Sequence, residues 1–135
     1  MSPFTRENGT DQGSNWRFGT FNDESWAKGK GVFGYSENNI TTQISYGGDS
    51  QNKYITTYFR KKITLDSLDF KTATIKLLRG DGAIVYMNGS EVIRTNIPQG
   101  NTSYSTTADG ASDEEEISYL DFNLPLNKLV TGENT

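Results

Sequence analysis

The stretch Arg79-Gly80-Asp81-Gly82-Ala83-Ile84-Val85-Tyr86-Met87-Asn88-Gly89-Ser90-Glu91-Val92-Ile93 decides the fold. Asn88-Gly89 separates two runs rich in β-branched and aromatic residues. It is the pair a two-residue type I′ turn requires, because both central residues take positive φ, which Asn tolerates and Gly adopts freely. A loop of that length predicts the register: Met87 opposes Ser90, Tyr86 opposes Glu91, Val85 opposes Val92 and Ile84 opposes Ile93. Both faces of the hairpin are then partly apolar, as in strands inside a sandwich rather than at its rim.

Outward from the hairpin, the same alternation recurs. Over Tyr54–Asp66 the odd positions read Ile55, Thr57, Phe59, Lys61, Ile63 and Leu65, which predicts one long strand with Lys61 as an intrusion. Further strands are expected at Trp16–Phe18, around Val32–Tyr35, at Ile40–Tyr46, at Thr74–Arg79 and at Ile117–Leu124 before Pro125, with one helical turn over Leu126–Val130. Residues 1–10 read as an irregular lead-in and 11–135 as one domain. The loop from Asn96 to Glu116, with its acidic run Asp113–Glu116, is longer than most connections. Seven or eight strands at this spacing predict an all-β antiparallel β-sandwich.

Composition removes much of the chemical menu. The 135 residues include no histidine and no cysteine. There is therefore no Ser-His-Asp or Cys-His nucleophile system, no Cys/His zinc site, no disulfide and no imidazole titrating near neutral pH. Carboxylate pairs are the acid–base chemistry left, and no spacing singles out a pair. With 13 basic and 17 acidic side chains the net charge is −4. No basic patch suited to nucleic acid occurs, nor any apolar run long enough for a membrane-spanning helix. A noncatalytic binding role is the expectation.

Four segments, in order, resemble one family of bacterial extracellular jelly-roll modules of the galactose-binding-like class. They are Trp16-Arg17 to Phe21-Asn22-Asp23-Glu24-Ser25-Trp26, Gly34-Tyr35 through Ile44-Ser45-Tyr46-Gly47, Lys53–Lys61, and Leu77–Val92. The last is also similar to the sugar-binding domains of family 2 glycoside hydrolases. The resemblance spans most of residues 11–134. It implies a jelly-roll module found beside secreted calcineurin-like phosphatases and lamin-tail-domain proteins. Such a module binds a polysaccharide or glycan at the cell surface or outside the cell; the alternative it leaves open is a structural or protein-interaction domain that positions an adjacent hydrolase. Two departures stand out. Gly80 replaces the first of two acidic residues usual before the hairpin. The chain also ends at Thr135, where the family's last long strand would begin, so the expected sandwich is one strand short and a strand-exchanged homodimer is a possible partner form.

Candidate ligand contacts follow from chemistry. Trp16 and Trp26 suit either stacking on a pyranose ring or the core. Tyr35, Tyr46, Tyr58 and Tyr104 offer an aromatic platform with a polar handle. Arg60, Asp81, Arg94 and Asn96 offer planar, directional hydrogen bonds to hydroxyls if they converge at one sheet end; surface ion pairing is their other reading. Arg79-Gly80-Asp81 spells the integrin tripeptide, but the turn chemistry explains Gly80 and Asp81 without adhesion. No cofactor is required. The resemblance implies a structural calcium, for which Asp11, Asp23 and Asp109 are the candidates.

Overall fold

The computed structural model describes residues 3–35, 38–110 and 118–135, so the run Asp113–Glu116 lies outside the described residues. Its centre is the expected hairpin, β8 (Ala83–Met87) and β9 (Ser90–Thr95), with φ +51 at Asn88 and +88 at Gly89. Met87 pairs with Ser90 and Tyr86 with Glu91, as the turn dictates. Beyond them the register shifts, and Val85 pairs with Ile93, Ile84 with Arg94 and Ala83 with Thr95. The expected pairs Val85–Val92 and Ile84–Ile93 are thus corrected by a β-bulge at Val92. An extra residue in one strand exchanges the faces of everything after it. Ile93 thereby joins Met87 on the buried face, at 4% and 9% exposure. Arg94 moves to the face that carries Tyr86 and Glu91.

Around this hairpin the described chain is all-β, with two short 3-10 turns, and most pairings are antiparallel. β1 (Phe4–Arg6) lies between β2 (Ala27–Lys28) and β5 (Tyr58–Arg60). The lead-in expected to be irregular therefore contributes a central strand. β7 (Thr74–Leu77) pairs with β10 (Leu120–Asn123), and β6 (Ile63–Leu65) with β11 (Gly132–Asn134). β3 (Phe33–Gly34) and β4 (Thr42–Gln43) pair in parallel, an exception to the antiparallel expectation. No helix among the described residues is long and apolar enough to cross a membrane.

The single strand expected over Tyr54–Asp66 is instead two, β5 and β6, interrupted at Lys61-Lys62, because each half pairs with a different partner. Its facing also differs from the odd-position pattern. Tyr58 and Arg60 are buried, whereas Ile55, Phe59 and Ile63 are 48%, 42% and 38% exposed. Trp16, expected on a strand, lies in the 3-10 turn Asn15–Arg17.

The interior has two parts. An aliphatic core joins Met87, Leu124 and Leu129, with Leu65, Phe70, Ile75 and the bulge residue Val92 packed against it. An aromatic core places Trp26 5.7 Å from Phe21 and 6.3 Å from Tyr58, with Trp16 5.0 Å from Tyr58. Edge-to-face contacts of this kind satisfy the ring quadrupoles and add to the area buried.

Candidate functional site

The site is assembled from the 3-10 turn, the bulged hairpin and the loop at residues 100–102. Arg60 holds the turn in place. Its guanidinium donates to Asp23 Oδ2 at 2.8 Å, to the carbonyl of Phe18 at 3.1 Å and to the carbonyl of Trp16. It also lies over the Phe21 ring. A buried cation is tolerated only when paired and hydrogen-bonded, and Asp23 with two carbonyls supplies that. Burial also pushes the neighbouring Tyr58 phenol above its ordinary range.

Thus fixed, Trp16 packs edge-on against Tyr86 at 5.7 Å, and the Arg17 guanidinium stacks over the Tyr86 ring at 4.1 Å. Gly89, at the hairpin tip, admits the Phe18 ring beside it. A Cβ built there would stand 2.2 Å from that ring, at a φ of +88 that already disfavours a side chain.

Between turn and hairpin runs an open groove of about 400 Å³ lined by Arg17, Tyr86, Gly89, Glu91, Arg94, Gly100, Asn101 and Thr102. Arg94 uses four of its five N–H donors: it donates to both carboxylate oxygens of Glu91 (2.6 and 3.3 Å), to the Pro98 carbonyl (2.6 Å) and to Thr102 Oγ1 (2.9 Å). The bonds to Glu91 raise its pKa above the ordinary arginine value. In a regular hairpin residues 91 and 94 would occupy opposite faces, so the bulge at Val92 is what creates this pair.

Of the expected ligand contacts, Arg94 lines this groove and Trp16 supports it from behind. Tyr46 lines a second cleft of about 480 Å³, with Glu7, Gln43, Ile44, Ser45 and Gly47. The Tyr35 ring packs 5.1 Å from Tyr46, and Lys53 Nζ stands over both rings at 5.2 and 5.6 Å. Tyr104 is tied to Thr56, whose hydroxyl donates to its carbonyl at 2.6 Å. The expected convergence of Arg60, Asp81, Arg94 and Asn96 does not occur. Arg60 is 3% exposed and occupied with Asp23, too enclosed to meet a ligand. Asn96 Nδ2 donates to the Asp81 carbonyl at 2.8 Å and to that of Gly110, which closes a loop. Arg79 is 8% exposed and donates to Thr95 and the Asp81 carbonyl, which leaves no presented Arg-Gly-Asp tripeptide.

No family model, curated protein or solved structure matches the chain. The site is therefore read from its own chemistry. Asp23 is engaged by a guanidinium, Asp11 Oδ1 accepts from the Gly13 amide at 2.8 Å, and no group of three acids able to hold an ion occurs among the described residues. Arg17, Tyr86, Glu91 and Thr102 were absent from the sequence-based set. Tyr86 and Glu91 lay in the hairpin that was read, but a bulge has no local signature there.

Proposed function

We propose that this chain is a noncatalytic carbohydrate-binding accessory module of a secreted or cell-surface bacterial protein, with a jelly-roll, galactose-binding-like architecture. The observation that carries the reading is the groove over Tyr86. It combines an aromatic residue with two guanidinium groups, a carboxylate, an amide and a hydroxyl. Sugar sites need that mixture: apolar contact for the ring and directional donors and acceptors for the hydroxyls. The likeness of residues 77–92 to sugar-binding jelly-roll domains points the same way. The lack of histidine and cysteine suits a module that leaves chemistry to another domain.

An open groove gives modest affinity, a Kd between about 10 µM and 1 mM. A glycan array followed by calorimetry tests the proposal. Binding that Tyr86→Ala weakens at least about tenfold supports it, and no binding to any plant, host or bacterial polysaccharide overturns it. A second reading, a structural or protein-interaction domain with no sugar site, is favoured by Ile55, Phe59 and Ile63, exposed along one segment. That reading predicts a blank array and retention of an adjacent hydrolase domain.

A further inference from the structure

The two arginines of the groove are not equivalent. Arg94 has its donors distributed among Glu91, Pro98 and Thr102. The Arg17 side chain makes no hydrogen bond and no ion pair among the described residues, and its Nε–H is shielded from solvent without a partner. The other arginines with an unpartnered shielded nitrogen, Arg6 and Arg60, donate elsewhere, to Ser25 and to Asp23. Arg17 is nevertheless placed by the rings beneath it, its guanidinium carbon 4.1 Å from the Tyr86 centroid and 6.0 Å from that of Trp16. With Glu91 matched to Arg94, the charge of Arg17 is the uncompensated one at this groove, in a chain whose net charge is −4.

We infer that Arg17 makes the groove selective for acidic saccharides, its guanidinium fork taking a sugar carboxylate. The inference rests on the carbohydrate reading above and names the substrate class for the same site. A stacked guanidinium presents parallel N–H donors that match the two oxygens of a carboxylate, whereas a sugar hydroxyl engages only one. Because the plane is already oriented by Tyr86, little side-chain freedom is lost when the ligand arrives.

The test is calorimetric titration of the full chain with oligogalacturonate and oligomannuronate, beside the neutral galacto- and manno-oligosaccharides. Uronate binding at least about tenfold tighter than neutral binding, weakening as salt is added, is expected. Arg17→Gln should abolish that preference, and Arg17→Lys should retain only part of it, since a point charge lacks the fork. The Arg17 Hε resonance of the wild-type chain should shift on adding uronate, which keeps the test independent of how the variants fold. Equal binding of neutral and acidic oligosaccharides, or an unmoved Hε resonance, overturns the inference while leaving the carbohydrate reading intact. No binding of either class overturns both.

Discussion

Two adjacent residues at the hairpin tip, Asn88 and Gly89, border opposite kinds of polar surroundings. Asn88 belongs to a closed network. Its amide donates to the Thr135 carbonyl at 2.9 Å, its Nδ2 to the Lys128 carbonyl and Asn134 Oδ1, and its Oδ1 accepts from the Thr135 amide at 3.0 Å. Asn134, fully buried, completes the set with bonds to Val130 and Gly132. Gly89 borders the groove, where the Arg17 guanidinium has no hydrogen bond among the described residues. The closed network fastens β11 to the hairpin. The open one leaves donors for something else. Buried polar groups fully satisfied by their neighbours specify a fold, whereas donors held in place without partners indicate recognition.

The comparison can be broken most severely at Arg60. Arg60→Met should destabilise the chain by about 3–5 kcal/mol in urea unfolding, because Asp23 is left enclosed without its cation. Removing both charges, as Arg60→Met with Asp23→Leu, should recover part of that loss. If the single substitution costs no more than an exposed pair would, the ion pair does not hold the turn.

Next in size is the closed network. Asn134→Ala should cost about 2–4 kcal/mol, since several buried partners lose their bonds together. Asn88→Gly keeps the positive φ and removes only the side chain, with an expected cost of about 1–3 kcal/mol. Neither change should alter ligand affinity in the fraction that remains folded.

A smaller effect is the alkaline limb. Burial raises the Tyr58 phenol above its ordinary value of 10.0. The folded state therefore holds that proton more tightly than the unfolded chain. The resulting stability is complete below about pH 10 and is lost as pH rises from there through the folded-state value. Tyr58→Phe should flatten this part of the stability–pH curve relative to wild type, and an unchanged limb would refute the assignment. Smallest of all, Arg17→Gln should cost about 0.5–1 kcal/mol, the loss of its cation–π contact over Tyr86.

What the sequence revealed divides along the same line. The turn at Asn88-Gly89 is legible because its requirement for positive φ is local. The bulge is not, since it answers to the packing of Val92 against Met87, Leu124 and Leu129 and to the burial of Ile93. The inward face of β5 is equally hidden. Arg60 can be buried because Asp23 lies opposite, 37 residues earlier in the chain, and alternation alone assigns a cation to solvent. At the site, Arg94 was recognisable as a hydrogen-bonding candidate and Trp16 as an aromatic one. Arg17 and Tyr86 acquire meaning only when the 3-10 turn and the hairpin meet. No periodicity within either segment records that meeting.

The open polar surface is expected to bind ligand and the closed one is not. Amide and side-chain chemical-shift mapping by NMR during a uronate oligosaccharide titration tests it most directly. Perturbed resonances should gather at Arg17, Tyr86, Glu91, Arg94 and residues 100–102, while the side-chain amides of Asn88 and Asn134 stay fixed. Perturbations centred instead on Tyr35, Tyr46 and Lys53, or movement of the Asn88 and Asn134 amides with the Arg17 region unchanged, would contradict it.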